Sequence, residues 1–322
     1  MILTVTVNPL LEKRLYFDST FKGSVNRCYA EKYYAGGKGI NVSRQLNKLK
    51  IENLALTFSG GTNGKILRNV LASEGINCQI IATKNETRNG TLLLEKESPK
   101  ITSYIGLNSE ISDQEVNHFI EKLEKMIPSV SVVVLTGSLP SPNTAKIFEA
   151  GIELAHKFDK IAIVDTYGSH LKDCIDMAPF AMHNNIPELE YSYKEDFSSD
   201  KSKRELLESL YQKGVKLAFL TNGSSTIYAS KFNFHYKITP PKIEEKDPLG
   251  SGDSFVAGIA HGIEKNLVFD EMLKNAVSLG AVNAEMWRTS EVPLEEMTKY
   301  FNSLEVEPLG KKMKIIDDTP NY

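Results

Sequence analysis

The residues best placed to do chemistry lie in Asp247-Pro248-Leu249-Gly250-Ser251-Gly252-Asp253-Ser254-Phe255-Val256-Ala257-Gly258. Pro248, Gly250 and Gly252 break regular structure, while Phe255, Val256 and Ile259 begin a helical apolar face, so the stretch predicts a turn feeding a helix. Small side chains there leave the backbone N–H groups of Gly250, Ser251, Gly252 and Asp253 open at the helix start. Unpaired N–H groups and the positive end of the helix dipole attract anions, phosphates above all. A carboxylate among such donors, Asp253, suits a general base that takes the proton of an attacking hydroxyl. The chemistry this spacing points to is phosphoryl transfer from a nucleotide to an alcohol.

A second glycine cluster, Gly36-Gly37-Lys38-Gly39-Ile40-Asn41, also opens a predicted helix. Its glycines allow close backbone approach, and Lys38 can reach a phosphate or a hydroxyl. Taken alone it reads equally well as an ordinary glycine turn. It is not a P-loop, and the nearest approach to one, Gly60-Gly61-Thr62-Asn63-Gly64-Lys65-Ile66, has the wrong spacing and lacks the Ser or Thr that would hold magnesium. Asn185-Ile186-Pro187-Glu188 alone reads as a plain helix start, and Thr221-Asn222-Gly223 as a turn after a strand. Arg27 and Arg88 carry the planar fork that suits phosphate oxygens, although surface arginines are usually solvated. The histidines show no metal-ligand spacing, and no Cys/His cluster suggests zinc.

The elements that must position these residues read as α/β. The 322 residues are 41 % apolar, enough for one large domain with a sizeable core. A net charge of −3 excludes a global basic field, so neither nucleic acid nor an anionic membrane is an expected partner. Three scattered cysteines, an N-terminus without a signal-peptide pattern and no run long enough to span a membrane predict a cytoplasmic protein. Residues 2–7 predict a buried strand. From residue 111 helices and strands alternate with the period of right-handed βαβ units, implying a mostly parallel sheet with helices on both faces. Two β-only patches, near 11–34 and 88–106, fit poorly in that sheet and predict a small projecting β-sheet, a lid. A late hairpin is expected over 225–238, and the tail after Glu305 is charged and aperiodic. One domain, 1–307, followed by a tail, 308–322, is the simplest division.

The two glycine motifs together resemble those of the ribokinase-like carbohydrate kinases, also called the phosphofructokinase-B family. The resemblance runs from Thr4-Val5-Thr6-Val7-Asn8-Pro9 to the helix near Ala281. Val25-Asn26-Arg27, Thr87-Arg88 and Gly137-Ser138-Leu139-Pro140 are similar to the phosphosugar branch, 1-phosphofructokinase and tagatose-6-phosphate kinase. The resemblance implies a three-layer fold, ATP and Mg2+ as co-substrate and cofactor, and a homodimer paired through the lids, which would also cover exposed strand edges. It implies Asp253 as general base and the Gly250, Ser251 and Gly252 amides as an anion hole. Asn185 and Glu188 would organise magnesium through water, and Asn185, Thr221, Gly223 and Gly252 would meet the nucleotide. Glu12, Arg27, Gly37, Lys38, Asn41, Arg88 and Ser138 would line the phosphosugar pocket. The reaction so implied is fructose 1-phosphate to fructose 1,6-bisphosphate, with tagatose 6-phosphate, or phosphosugar binding with weakened catalysis, as alternatives. Six positions depart from the family pattern: Glu12 replaces Asp, Gly90 and Leu92 replace Asn and Lys, Tyr167 in Asp165-Thr166-Tyr167-Gly168 replaces the Ser of Asp-x-Ser-Gly, and His183-Asn184-Asn185 stands in place of Lys-Pro-Asn.

Overall fold

The central strands are unbroken apolar runs because both of their faces are covered. Ile2–Thr6 and Val132–Thr136 are buried along their whole length, the pattern of a parallel sheet between two helical layers rather than of one half exposed to water. In the computed structural model, which describes residues 1–96 and 98–310, the strands in chain order are β1 (Ile2–Thr6), β2 (Leu10–Phe17), β3 (Ala30–Gly36), β4 (Asn53–Gly60), β5 (Cys78–Thr83), β6 (Asn89–Glu95), β7 (Ser98–Ile105), β8 (Val132–Thr136), β9 (Ile161–Asp165), β10 (Ala181–Asn185), β11 (Leu217–Thr221), β12 (Ile227–Lys231), β13 (Phe234–Ile238) and β14 (Val306–Leu309). The helices are α1 (Lys38–Lys48), α2 (Gly61–Ser73), α3 (Asp113–Met126), α4 (Ala145–Lys157), α5 (Leu171–Asp176), α6 (Ile186–Tyr193), α7 (Asp200–Gln212), α8 (Ser251–Glu264) and α9 (Phe269–Ala284).

Among the described residues ten strands form one sheet in the order β14-β13-β12-β11-β10-β9-β8-β1-β4-β5. From β11 to β5 every pairing is parallel, and β12, β13 and β14 add an antiparallel edge. Four strands, β3-β2-β6-β7, form a separate sheet. The mostly parallel sheet, the late hairpin and the small separate sheet all match the sequence expectation. The β2–β6 pairing is parallel while the flanking pairs are antiparallel, so the two sequence-distant patches meet at the centre of the small sheet.

Local sequence explains where several helices begin. Ser112 caps α3 by accepting from the Glu115 N–H, and Glu115 reaches back to the Ser112 N–H, a reciprocal box that satisfies two orphan donors. Val116, Phe119 and Leu123 follow at helical spacing and are buried, with the Phe119 ring 4.6 Å from that of Phe58. Such a stripe is what holds a surface helix to its sheet, at roughly 1.5–3 kcal/mol per large side chain buried.

One segment differs from expectation. Val306–Leu309, read as aperiodic tail, is an edge strand in register with His235–Ile238, and it straddles the expected boundary at 307/308. Four residues are too few for alternation to declare itself, and the partner lies some seventy residues earlier in the chain. The rest of the expected tail, 311–322, lies outside the described residues. Among the described residues no helix is long and apolar enough to cross a membrane.

This topology decides where chemistry can occur. Asn8, Gly137 and Ser138, Asp165, Asn185 and Thr221 all lie at or just beyond the carboxyl ends of parallel strands β1, β8, β9, β10 and β11. In open α/β sheets that edge is where ligands bind.

Candidate active site

A cavity of about 1200 Å³ runs along the carboxyl ends of the parallel strands, between the large sheet and the small one. Its floor is the start of α8. Gly250 adopts φ +77°, and a Cβ there would come within 2.2 Å of Thr289 Cγ2, so this turn requires glycine on both conformational and steric grounds. The Gly250 carbonyl accepts the Ser254 N–H at 2.8 Å, and the Ser251 N–H is turned back to the Pro248 carbonyl at 3.2 Å. Ser251 therefore spends its amide on the turn. The Gly252 and Asp253 amides belong to the first helical turn, whose N–H groups have no acceptor within the helix.

Asp253 is 7 % exposed and accepts a 2.7 Å hydrogen bond from Asn41 Nδ2. Burial pushes its carboxyl up to about 6, with the Asp165 and Glu188 charges adding to the rise and Lys38 and Asn41 opposing it. Lys38 Nζ contacts Glu188 Oε1 at 2.8 Å and Asp165 Oδ1 at 3.2 Å, and stands over the Tyr167 ring. Burial works to lower its pKa, but the carboxylates of Asp165, Glu188 and Asp253 raise it above the ordinary lysine value. It stays cationic. Asp165 is buried, and Lys38 and His183 overcome that burial to hold its carboxyl below the ordinary range. Its second oxygen, Oδ2, has no hydrogen-bond partner among the described residues.

His183 occupies the position of the replaced lysine. Its Nδ1 is 3.2 Å from Asp165 Oδ1, its Nε2 is 3.1 Å from Thr221 Oγ1, and its ring lies against Phe255. A Cβ on Gly252 would stand 3.5 Å from His183 Cε1, so the imidazole borders the α8 turn.

Glu188 and Asn185 form a capping box at the start of α6, with Asn185 Oδ1 accepting the Glu188 N–H at 2.8 Å. The plain helix-start reading and the site reading both hold, because both side chains also line the cavity. The asparagine oxygen is committed to the cap and one glutamate oxygen to Lys38. No group of three or more His, Cys, Asp or Glu side chains among the described residues is arranged to hold a metal directly. The donors fit an ion held through water, as magnesium commonly is.

At the other end of the cavity, Arg88 donates to the Pro9 carbonyl at 3.3 Å, the Asn8 carbonyl at 3.1 Å and Asn108 Oδ1 at 3.1 Å. All three acceptors are neutral. Burial lowers its pKa, yet a guanidinium keeps its charge, leaving a positive site on the wall without a carboxylate among these partners. Asn8 Nδ2 ties the same corner to Ser138 Oγ at 3.1 Å. Glu12 also lines the cavity, and its carboxylate is bound by Arg14.

Of the residues expected from sequence, Glu12, Gly37, Lys38, Asn41, Arg88, Ser138, Asn185, Glu188, Thr221, Gly223, Gly250, Ser251, Gly252 and Asp253 all line this one cavity. Arg27 does not: it is exposed, on the loop between β2 and β3. The closeness of the first glycine cluster also has a different cause at Gly39, where a Cβ would come within 2.4 Å of Thr6 Oγ1 and 2.7 Å of the Val5 carbonyl. That glycine lets α1 sit on β1 rather than admitting a ligand. At Gly90 a Cβ would meet the tip of the Ile105 side chain, Cδ1, at 2.9 Å, a milder restriction than at Gly39, and Leu92 makes its part of the wall apolar.

Sequence reasoning gave no role to Arg14, Asp247, Thr289 or Asn108. Arg14 had one available signal, its place two residues beyond Glu12 on a predicted strand, which puts both side chains on one face. The others come from loops with no periodicity to read.

Comparison with known proteins agrees with this architecture. The chain is similar in fold to a protein from Thermotoga maritima described as "possible 1-phosphofructokinase", at 24 % identity and TM-score 0.87 over 96 % of this chain and 99 % of the other. It is similar also to the tetrameric inhibited form of phosphofructokinase-2 from Escherichia coli, at 21 % identity and TM-score 0.85 over 94 % and 98 % of the two chains. Residues 8–296 match the pfkB family carbohydrate kinases. The chain belongs to that family and is a carbohydrate kinase by membership.

Proposed function

We propose that the chain transfers the γ-phosphoryl group of ATP to a ketohexose monophosphate, with fructose 1-phosphate as the substrate and fructose 1,6-bisphosphate as the product. The observation that carries this reading is that one cavity holds both a buried carboxylate at a helix N-terminus, Asp253, and a cation, Arg88, with no carboxylate among its hydrogen-bond partners in the described residues. A neutral sugar would leave Arg88 without a counter-charge. A substrate already carrying phosphate supplies one.

In this reading Asp253 takes the proton of the sugar hydroxyl as its oxygen attacks the γ-phosphorus, and the bond to the ADP oxygen breaks. The Gly252 and Asp253 amides and the α8 dipole stabilise the charge on the transferring group, which is most of what such catalysis requires. A pKa near 6 leaves Asp253 mostly ionised at neutral pH and a stronger base than an ordinary aspartate. Lys38 holds Asp165 and Glu188 in place beside it. Glu188 and Asn185 would hold magnesium through water, and the ion would supply charge neutralisation of the ATP phosphates. Thr221, Gly223 and the α9 residues Val277 and Ala281 line the remainder of the cavity, which suits a nucleotide base and ribose. Cys28, Cys78 and Cys174 are free thiols, in keeping with work in a reducing cytoplasm.

A coupled assay of ADP release over fructose 1-phosphate, tagatose 6-phosphate, fructose 6-phosphate and free hexoses tests the proposal. Fructose 1-phosphate should give the highest kcat/KM. Preference for tagatose 6-phosphate would move the assignment within the phosphosugars, preference for a free sugar would overturn it, and binding without turnover would favour a phosphosugar-binding role for a chain carrying Gly90, Leu92 and His183.

A further inference from the structure

We propose that Arg14 is a positioning residue that aims the Glu12 carboxylate at the sugar and ties it to the turn that opens α8. The inference rests on the phosphosugar kinase reading and deepens it. Arg14 is 1 % exposed although it lies on a strand of the small sheet. Burying a guanidinium is costly unless it is hydrogen-bonded and paired, and here each of its three nitrogens donates a hydrogen bond. Nε donates to Glu12 Oε1, Nη1 to the Trp287 carbonyl at 2.8 Å and Nη2 to Thr289 Oγ1 at 2.7 Å. The plane lies 4.8 Å from the Tyr34 ring centroid on the neighbouring strand, and Asp247 Oδ2 is 3.6 Å from Nη1.

The partners fall into two groups. Glu12 belongs to the small sheet and lines the cavity. Thr289 lines it too, and its methyl is the group that leaves no room for a side chain on Gly250. Asp247 shapes the same turn by accepting the Leu249 N–H at 2.9 Å. One buried cation therefore spans from the carboxylate assigned to the sugar hydroxyls to the residues that pack the phosphoryl-binding turn. Arginine's rigid fork fixes that relation as a lysine could not.

The geometry also accounts for glutamate at position 12. Glu12 and Arg14 are two apart on one strand face, and an aspartate would pull its carboxylate back by about one carbon–carbon bond, roughly 1.5 Å. Glutamate reaches the guanidinium with one oxygen and leaves the other for a substrate hydroxyl.

A double-mutant cycle with Glu12 tests this. Arg14→Lys should lower kcat/KM for the phosphosugar by about a hundredfold, the scale of an ångström of misplacement, while KM for ATP stays within about twofold. In a Glu12→Ala background the same change should cost little more, because the group that Arg14 positions is already gone. Thr289→Val, which removes one acceptor and conserves volume, should lower phosphosugar kcat/KM in the same direction by about tenfold, the scale of one lost hydrogen bond to a charged group, and that loss should also vanish in the Glu12→Ala background. Thermal unfolding of each variant identifies any that fails to fold, and Thr289→Val then carries the test. Losses that multiply in the double variants, or equal shifts in both KM values, would mean that Arg14 only stabilises the fold and would overturn the proposal. Wild-type values for both variants would overturn it too. A wild-type enzyme that turns over no phosphosugar would instead overturn the kinase reading on which the proposal rests.

Discussion

In the proposed reaction Asp253 would combine the two properties asked of a base: it is held at the start of α8 on the cavity floor, and its burial raises its proton affinity. Asp253→Asn should cut kcat by about two orders of magnitude or more, the scale of a positioned general base, with ATP affinity unchanged by calorimetry. In the wild type, kcat/KM should fall as pH drops through about 6, where the carboxyl becomes protonated; a profile flat to pH 5 would assign the base elsewhere. The same residue makes an opposite prediction for stability. Its folded-state pKa is raised, so its contribution to stability is fully present below the ordinary 3.8 and is lost as pH rises through about 6. Asp253→Asn should therefore be more stable than wild type at pH 7, by on the order of 2–3 kcal/mol, with the gain gone below pH 4 in urea titrations. Arg88 lies at the other end of the cavity. Arg88→Ala should raise KM for the phosphosugar at least tenfold, the scale of one charge-assisted phosphate contact, and leave KM for ATP unchanged; equal effects would show that it clamps no substrate phosphate.

The start of α8 depends on a conformation that only glycine adopts cheaply. Gly250→Ala must accept both φ +77° and the Thr289 methyl within 2.2 Å of the new carbon. We expect a loss of stability of about 1–3 kcal/mol, read as a lower urea midpoint, together with reduced kcat because the Gly252 and Asp253 amides move with the turn. An unchanged midpoint would mean that the turn relaxes freely and is not built by that packing. The small sheet raises a second question at this scale. Its strands carry Glu12, Leu92, Ser103 and Ile105 onto the cavity wall, while Tyr29 and Tyr104 are exposed on a loop and a strand of the same sheet. A strand set that serves the site on one side and exposes aromatics elsewhere is suited to cover by another surface.

For the whole molecule the expected cover is a second copy, pairing sheet to sheet. Light scattering at micromolar concentration should return about twice the 35.9 kDa chain mass, and replacing Tyr104 with Lys should shift it toward the monomer. A monomeric mass for the wild type would remove the pairing. The cavity itself is a product of global topology, since its wall draws on strand ends from β1 to β11, on the small sheet and on α8 and α9.

What the sequence alone determined was the local and the chemical. Period and glycine placement marked α8 and α1, continuous β-branched runs marked the parallel strands, and the two motifs marked the family. These are legible because each is written in neighbouring residues. Only the tertiary structure decided that Lys38 sits between Asp165 and Glu188, that Gly39 is a packing glycine, that Arg27 stands outside the cavity, and that Val306–Leu309 closes the sheet edge. Those facts depend on pairs up to some 150 residues apart, whose meeting is set by strand order and not by spacing. Arg14 falls between the two. Its neighbourhood to Glu12 is in the sequence, but its burial against Trp287 and Thr289 exists only once the small sheet folds onto the α8 turn.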